Sequence, residues 1–406
     1  MKVAIIYSHL QELGGAERVI LKQMELFHKK GFQAECYFAY LDQKLRKESS
    51  NPYSYTKSFL ASFIPNNPAL RIILSVPLAP LTTHVFNRNN VLLCHGYGPA
   101  PWIGYLNKKL KGTPYVSYIH SPPRFFYLSR ESRNLWRFND IREIIFKLSK
   151  LTSPILKEID YLSVVNSDSI LANSFFTAKR LYSIYGVKAK VCYPPVDTEN
   201  FKILTKENIE EIRKKFSSPL ILSTGRIVAI KRWEWLLKIM SYIVKENPSA
   251  TLAITGKISK ENSNYVQFLR KTAKKLKVDG NVRFLGFRSQ GELVKLYNAA
   301  DVYVYSVPNE DFGLGPVEAM ACGTPAVVWN DGSGPCETVI EGENGFRAKP
   351  YNMEDFAEKT LKAIEMNKME ISEKIREFVK QNFSCEKHWK ILRETIQSLI
   401  NNENFN

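Results

Sequence analysis

The sequence predicts an α/β protein built from two Rossmann-like domains, each a parallel sheet covered by helices. Three observations carry that prediction. The chain has 406 residues, more than one ordinary core organises. Short apolar runs alternate with segments of helical period through both halves, the pattern of βα repeats. The runs also end repeatedly in glycine-containing loops that open helices, as in nucleotide-binding folds.

In chain order, Val3 to Ser8 is a strand of the buried type. The loop behind it, Gly14-Gly15-Ala16-Glu17-Arg18, leads into a helix marked by Val19, Ile20, Met24, Leu26 and Phe27. Its glycine pair either lets backbone approach a ligand or simply turns the chain. Ala34 to Ala39 is the next strand. Residues 53–86 hold prolines at 65, 68, 77 and 80, and only Lys57 and Arg71 are charged. This segment reads as packed helices and turns, or as a surface that dips into a membrane interface; the prolines argue against one long amphipathic helix.

Val91 to Gly96 and Tyr115 to His120 follow as strands. His120 ends its strand in a loop stiffened by Pro122 and Pro123, where open α/β sheets bind ligands, whereas His95 reads as a histidine held by an internal partner. Residues 127–160 interleave Arg130, Arg133, Arg137, Arg142, Lys147 and Lys150 with Tyr127, Trp136, Phe138 and Phe146. Such a stretch suits a solvated helix face, a headgroup-level membrane patch or a nucleic-acid surface. Ser169 to Ser174 is a strand ending in a helix cap, with Asn173 or Ser174 as the capping residue. Lys190 to Asp197 closes a first domain of residues 1–200, and the hydrophilic run 198–218, helical from Leu204 to Lys215, is a hinge.

Leu220 to Thr224 opens a second domain, residues 201–383. Arg226 and Lys231, five apart beside the next helix start, form a clamp for a diphosphate, Arg as a planar fork and Lys as a point charge. The plain alternative is two exposed cations. Thr251 to Lys257 and Val282 to Arg288 are further strand-to-loop transitions. Ala326 to Trp329 leads through Asp331–Pro335 to a helix containing Glu337. Residues 353–381 are helical, and Ser384 to Ile400 is a last amphipathic helix with Trp389, Leu392, Ile396, Leu399 and Ile400 on one face.

The most informative stretch lies between, at Asn309 to Gly323, N-E-D-F-G-L-G-P-V-E-A-M-A-C-G. It follows the strand 300–306 and passes through a glycine turn into a helix from Pro316 to Cys322, with Gly323 as the stop. Backbone N–H groups and the helix dipole then face an anion beyond the strand end. Glu318, in the first helical turn, suits a pair of vicinal hydroxyls, and Glu310 lies on the turn beside it. Either acid alone also reads as a dipole-complementing or exposed loop residue.

Glu310 and Glu318 stand eight apart inside E-D-F-G-L-G-P-V-E-A-M-A-C-G-T-P-A-V-V, which resembles the retaining glycosyltransferases of family 4, enzymes of the GT-B fold. G-G-A-E-R at 14–18, A-N-S at 172–174, P-P-V-D at 194–197 and G-R-x-x-x-x-K at 225–231 extend the likeness, and H-S-P-P-R-F at 120–125 is similar to a mannosyltransferase branch. The resemblance implies two sheets facing a central cleft, with residues 384–406 crossing back to the first domain. It implies hexosyl transfer from a nucleoside diphosphate-sugar, GDP-mannose first and a UDP-sugar second, by front-face attack with retention.

The roles carried over are residue by residue. His120 and Glu310 act at the transferred sugar. Gly15, Arg226, Lys231, Gly313, Leu314 and Gly315 hold the donor diphosphate, Glu318 the ribose, and Gly286, Phe287 and Arg288 the nucleobase. Gly14 and Arg18 face the acceptor, and Arg124, from its position alone, suits an acceptor phosphate. No cofactor and no divalent metal is expected, the Asp-x-Asp signature of another glycosyltransferase fold being absent.

The formal net charge is +17, and residues 1–200 carry 26 basic against 14 acidic side chains. That surface favours an anionic partner, and with 53–86 it suggests a glycan or lipid-linked acceptor and peripheral attachment to the cytoplasmic face of an anionic membrane. No nucleic acid is expected. Six scattered cysteines without metal spacing suit a reducing compartment. No signal-peptide pattern opens the sequence, and no run approaches the roughly 20 apolar residues of a membrane span. The competing readings are a GT-B phosphorylase or epimerase, though no motif suggests a lysine for pyridoxal phosphate, and a non-catalytic basic membrane- or RNA-binding protein.

Overall fold

The computed structural model describes residues 2–10, 13–42, 56–60, 71, 74–75, 78–86, 90–123, 127, 154–258, 262–366 and 368–403. Two compact units result, one of residues 1–195 with 386–406 and one of residues 196–385.

The first unit holds seven strands: β1 (Lys2–Leu10), β2 (Gln33–Leu41), β3 (Thr56–Ser58), β4 (Val91–His95), β5 (Tyr115–Ile119), β6 (Ser169–Ala172) and β7 (Lys190–Val191). All pair in parallel, in the order β3-β2-β1-β4-β5-β6-β7. The direction of winding reverses between β1 and β4, where Val3 is paired with Val91. Residues 91–95 and 115–119 are buried on both faces, which is why they read as unbroken apolar runs rather than alternating ones. Two features depart from expectation. The first helix begins at Gly15, earlier than its apolar stripe suggested. Thr56–Ser58 adds an edge strand inside a segment read as helices and turns.

The final helix, Cys385–Glu403, gives this unit Trp389, whose ring meets Phe27 and Phe32 edge-on at 5.1 and 5.3 Å between centroids. Trp389, Leu392 and Ile396 are buried along one face, as the helical period indicates. Asn173 and Ser174 compete as cap in the sequence; Ser174 takes the role, accepting from the Thr177 N–H. Within 127–160, residues 128–153 lie outside the described residues and carry every basic and aromatic side chain named above except Tyr127.

The second unit contains β8 (Leu220–Thr224), β9 (Thr251–Thr255), β10 (Val282–Gly286), β11 (Val302–Tyr305), β12 (Ala326–Trp329) and β13 (Gly345–Ala348). These are again all parallel, ordered β10-β9-β8-β11-β12-β13, with the reversal between β8 and β11. β13 was not legible as a strand. It enters through Gly345 at φ +155°, where a Cβ would collide with the Ala326 carbonyl. The stretch read as one helix over 353–381 is two, Met353–Glu365 and Lys368–Phe383. Glu337 sits on a single 3₁₀ turn, Gly334–Glu337, rather than an α-helix, and Leu204–Lys215 shortens to the helix Lys206–Arg213.

Trp329 anchors this core. It is 1% exposed, its Nε1 donates to the Ser306 carbonyl at 2.8 Å, and its ring packs on Phe356, Trp235 and Tyr351. Trp329→Ala is expected to lower the stability of this unit by about 3–5 kcal/mol through cavity formation. Denaturant unfolding followed by circular dichroism checks it, and a loss below about 1 kcal/mol contradicts the packing described.

Candidate active site

In the second unit, the loops that follow β8 and β11 meet because those two strands are neighbours at the reversal, the place where open α/β sheets receive ligands. Behind β8, the Gly225 N–H donates to the Thr255 carbonyl, and the Arg226 carbonyl accepts from Trp233 Nε1 at 3.0 Å. The loop is thereby pinned to β9 and to the helix Trp233–Glu246. Gly256 must be glycine, since a Cβ there would strike the Gly225 carbonyl.

Lys231 ends a 3₁₀ turn, Ala229–Lys231, and the helix starts two residues later, after Arg232 at φ +54°. Lys231 thus sits on a turn immediately before the helix start, beside it as expected. Lys231 Nζ lies 2.5 Å from Glu310 Oε2 and 3.1 Å from Tyr305 Oη, and Tyr305 Oη donates to the same carboxylate oxygen at 3.1 Å. Lys231 and Glu310 each keep 19% of their side-chain surface exposed. The proposed diphosphate cation and sugar-orienting acid are thus one ion pair. Arg226, its expected companion, is exposed and has no side-chain partner among the described residues.

Behind β11, Gly313 at φ +79° turns the chain into the helix Leu314–Ala321. The helix starts two residues before the position expected, so Glu318 lies in its second turn rather than its first. Glu318 is 3% exposed, and Tyr297 Oη donates to its Oε2 at 2.9 Å. Tyr297 in turn contacts Thr224 Oγ1 at 3.1 Å, and Thr224 contacts Tyr303 Oη at 3.0 Å. Gly315 lies directly over Tyr303 Oη, where any Cβ would overlap the hydroxyl. Gly286 ends β10 and Phe287 and Arg288 follow it at the same carboxyl edge of the sheet; Phe287 is 71% exposed and Arg288 pairs with Glu292 at 3.5 Å.

The sequence reading missed Tyr297, Tyr303, Tyr305 and Thr224. A signal for two of them was present: V-Y-V-Y puts Tyr303 and Tyr305 on one face of β11, immediately before the motif.

In the first unit, Gly14 caps and Gly15 begins the helix behind β1, and the Arg18 N–H donates to the Gly14 carbonyl. His120 follows β5, its carbonyl accepting from Asn173 Nδ2 at 2.9 Å. Its Nε2 lies 3.0 Å from Nδ1 of the buried His95, and the rings stack with centroids 5.2 Å apart. Tyr118 packs on both rings, and His388 completes the group, bonded to the Tyr193 carbonyl and to Gln23 Nε2. Arg124 lies outside the described residues.

Burial, reinforced by neighbouring His388, lowers the His120 pKa to about 3, and burial lowers that of His388 to about 4. Burial holds His95 well below the usual histidine range. Asp160, bonded by Tyr185 and Tyr127, is pushed the other way by burial, to about 6. Among the described residues no cluster of three or more His, Cys, Asp or Glu has metal-holding geometry, and all six cysteines are free.

Two parallel sheets, each with glycine turns and polar side chains at its carboxyl edge, define an α/β protein of the Rossmann-like type. The family described as Glycosyl transferases group 1 matches residues 205–382, and Glycosyltransferase Family 4 matches residues 13–200. The chain belongs to glycosyltransferase family 4, with the GT-B fold. It is similar to the mannosylfructose-phosphate synthase of Agrobacterium fabrum, 29% identical over 46% of this chain and 43% of the relative. It is also similar to the D-inositol 3-phosphate glycosyltransferase of Corynebacterium jeikeium, 27% identical over 63% of this chain and 59% of the relative. The likeness therefore spans less than two thirds of either relative. Among solved structures, Anabaena HepE in complex with UDP shares the fold at a TM-score of 0.78 and 20% identity, covering 98% of this chain and 100% of that one.

The three histidines set a pH dependence. Their folded pKa values lie below the ordinary 6.5, so between that value and 3–4 the unfolded chain binds more protons. Their contribution is complete above pH 6.5 and is lost as pH falls towards 4. Asp160 opposes this, because a carboxyl raised from 3.8 to about 6 gives stability below 3.8 that is lost as pH rises through 6. Urea midpoints should fall between pH 7 and 5, less steeply in His388→Gln and more steeply in Asp160→Asn. A flat wild-type profile contradicts the assignment.

Proposed function

We propose that this chain is a retaining hexosyltransferase that moves a hexose from a nucleoside diphosphate-sugar to a hydroxyl of a glycan or lipid-linked acceptor. The observation that carries the reading is the Lys231–Glu310 pair beside the glycine turn at Gly313, with Glu318 one turn further on. A cation and a helix N-terminus suit a diphosphate, and a buried carboxylate suits the ribose diol.

In the reaction, the bond from the anomeric carbon to the diphosphate oxygen breaks. The bond from that carbon to the acceptor oxygen forms on the same face, and the acceptor's proton passes to the leaving diphosphate. Lys231, Arg226 and the backbone of Gly313, Leu314 and Gly315 offset the charge that develops on that group. Glu310 orients the sugar, and Gly286, Phe287 and Arg288 take the base. His120 also acts at the sugar in this reading, with Gly15 at the diphosphate and Gly14, Arg18 and Arg124 on the acceptor side. No divalent metal or cofactor takes part.

The H-S-P-P-R-F loop favours GDP-mannose as donor, and the UDP bound by HepE favours a UDP-sugar as the second reading. The charge of +17 favours a protein that works peripherally on the cytoplasmic face of an anionic membrane; no helix among the described residues is long and apolar enough to cross one.

A donor panel scored by release of the nucleoside diphosphate, with and without a chelator, tests the reading. Release is expected from GDP-mannose, unchanged by EDTA, and Lys231→Ala should reduce kcat/KM about hundredfold. Release from no donor, or an unimpaired Lys231→Ala, overturns it. Failure to sediment with phosphatidylglycerol vesicles overturns the membrane assignment alone.

A further inference from the structure

Glu318 occupies an apolar position. The helix Leu314–Ala321 surrounds it with buried Val317, Ala319, Met320 and Ala321, so an ionised carboxylate there needs directed donors. Tyr297 Oη supplies one at 2.9 Å. A carboxylate only accepts, so the tyrosine must donate to it, which leaves the phenol oxygen as acceptor toward Thr224 Oγ1 at 3.1 Å. Thr224 then donates to Tyr297 and accepts from Tyr303 Oη at 3.0 Å, while its own backbone N–H donates to Tyr303 Oη at 3.3 Å. The acid thus orders the Tyr297 and Thr224 hydroxyls, and the Tyr303 hydroxyl also faces the Thr224 carbonyl at 3.5 Å.

We propose that Tyr297 and Thr224 are positioning residues for nucleotide recognition: they hold the Glu318 carboxylate aimed, and so set the protein's preference for ribose hydroxyls. The inference rests on the reading of Glu318 as the ribose ligand. It assigns a role to residues from two different elements, the end of β8 and the helix Gln290–Ala299. Tyr303 couples the file to the glycine turn, because Gly315 can lie over its hydroxyl only without a side chain. Orientation of the acid and seating of the helix N-terminus are therefore one arrangement.

The test is calorimetric binding of UDP and GDP against their 2′,3′-dideoxy counterparts, for the wild-type chain, Tyr297→Phe and the near-isosteric Thr224→Val. The wild-type chain should prefer the ribonucleotide it binds at least tenfold, as expected for hydrogen bonds to a charged group. Tyr297→Phe should bring that ratio close to one by weakening the ribonucleotide alone, and Thr224→Val should cut it about threefold. A merely structural role would weaken both nucleotides equally and leave the ratio intact. A wild-type preference that Tyr297→Phe and Thr224→Val both retain overturns the positioning inference and leaves the ribose reading standing. Equal wild-type binding of ribo and dideoxy forms overturns both. Should Tyr297→Phe fail to melt cooperatively, the ratio in Thr224→Val decides.

Discussion

The pairing of β8 with β11 is the constraint on which the second unit's site depends. Ile221 is in register with Val302 and Leu222 with Tyr303, so two strands some eighty residues apart in sequence end side by side. Their loops carry Lys231 and Glu310, and the strand ends carry Thr224 and Tyr305. No local propensity brings these groups together. It follows from right-handed crossovers winding outward in both directions from one pair of strands, which leaves a crevice only where the winding reverses. The same topology in the first unit places the ends of β1, β4 and β5 in consecutive positions, and with them Gly14, His95 and His120.

Close backbone approach is the second requirement, and glycine meets it at particular points. Gly256 must pass the Gly225 carbonyl, Gly315 must pass Tyr303 Oη, and Gly334 must pass the Asp311 carbonyl. These are steric demands, distinct from that of Gly313, whose φ of +79° is one that side-chain-bearing residues rarely adopt. The motif's two glycines thus serve different ends: Gly313 turns the chain and Gly315 lets the helix settle on the tyrosine beneath it.

This division explains what could be read from the sequence. Strand and helix alternation is written in local apolar runs, so both parallel sheets were legible, and the acids, glycines and cations of the motifs could be assigned to strand ends. Edge strands such as Thr56–Ser58 and Gly345–Ala348 are only three or four residues long and carry no continuous apolar run, so they were not. Helix starts at Gly15 and Leu314 were placed late because glycine is a poor helix former; only tertiary contacts recruit it into a first turn. The tyrosine file was hidden as a set for another reason: V-Y-V-Y marks the shared face of Tyr303 and Tyr305, but only the register of β8 against β11 sets the hydroxyls of Tyr297, Tyr303 and Thr224 on one path. The pairing of Lys231 with Glu310 was likewise hidden, since the sequence gives each a separate ligand-facing role and says nothing of the distance between them.

Stability alone does not account for these polar groups. Replacing a largely buried ion pair with well-packed apolar residues is often neutral or stabilising, because desolvation offsets the attraction. Lys231 and Glu310 are four-fifths buried over the ring of Tyr305, and the Lys231 Nζ lies 5.6 Å from its centroid. Glu318 sits among alanine, valine and methionine in a helix that an apolar residue would complete. A fold selected only for packing would fill these positions with side chains like their neighbours. Instead, two tyrosine hydroxyls and a lysine hold two carboxylates at the reversal of this unit's sheet. Such an arrangement makes physical sense where the carboxylates meet something that is not protein, and hydroxyl-rich ligands match the acceptors that these acids present.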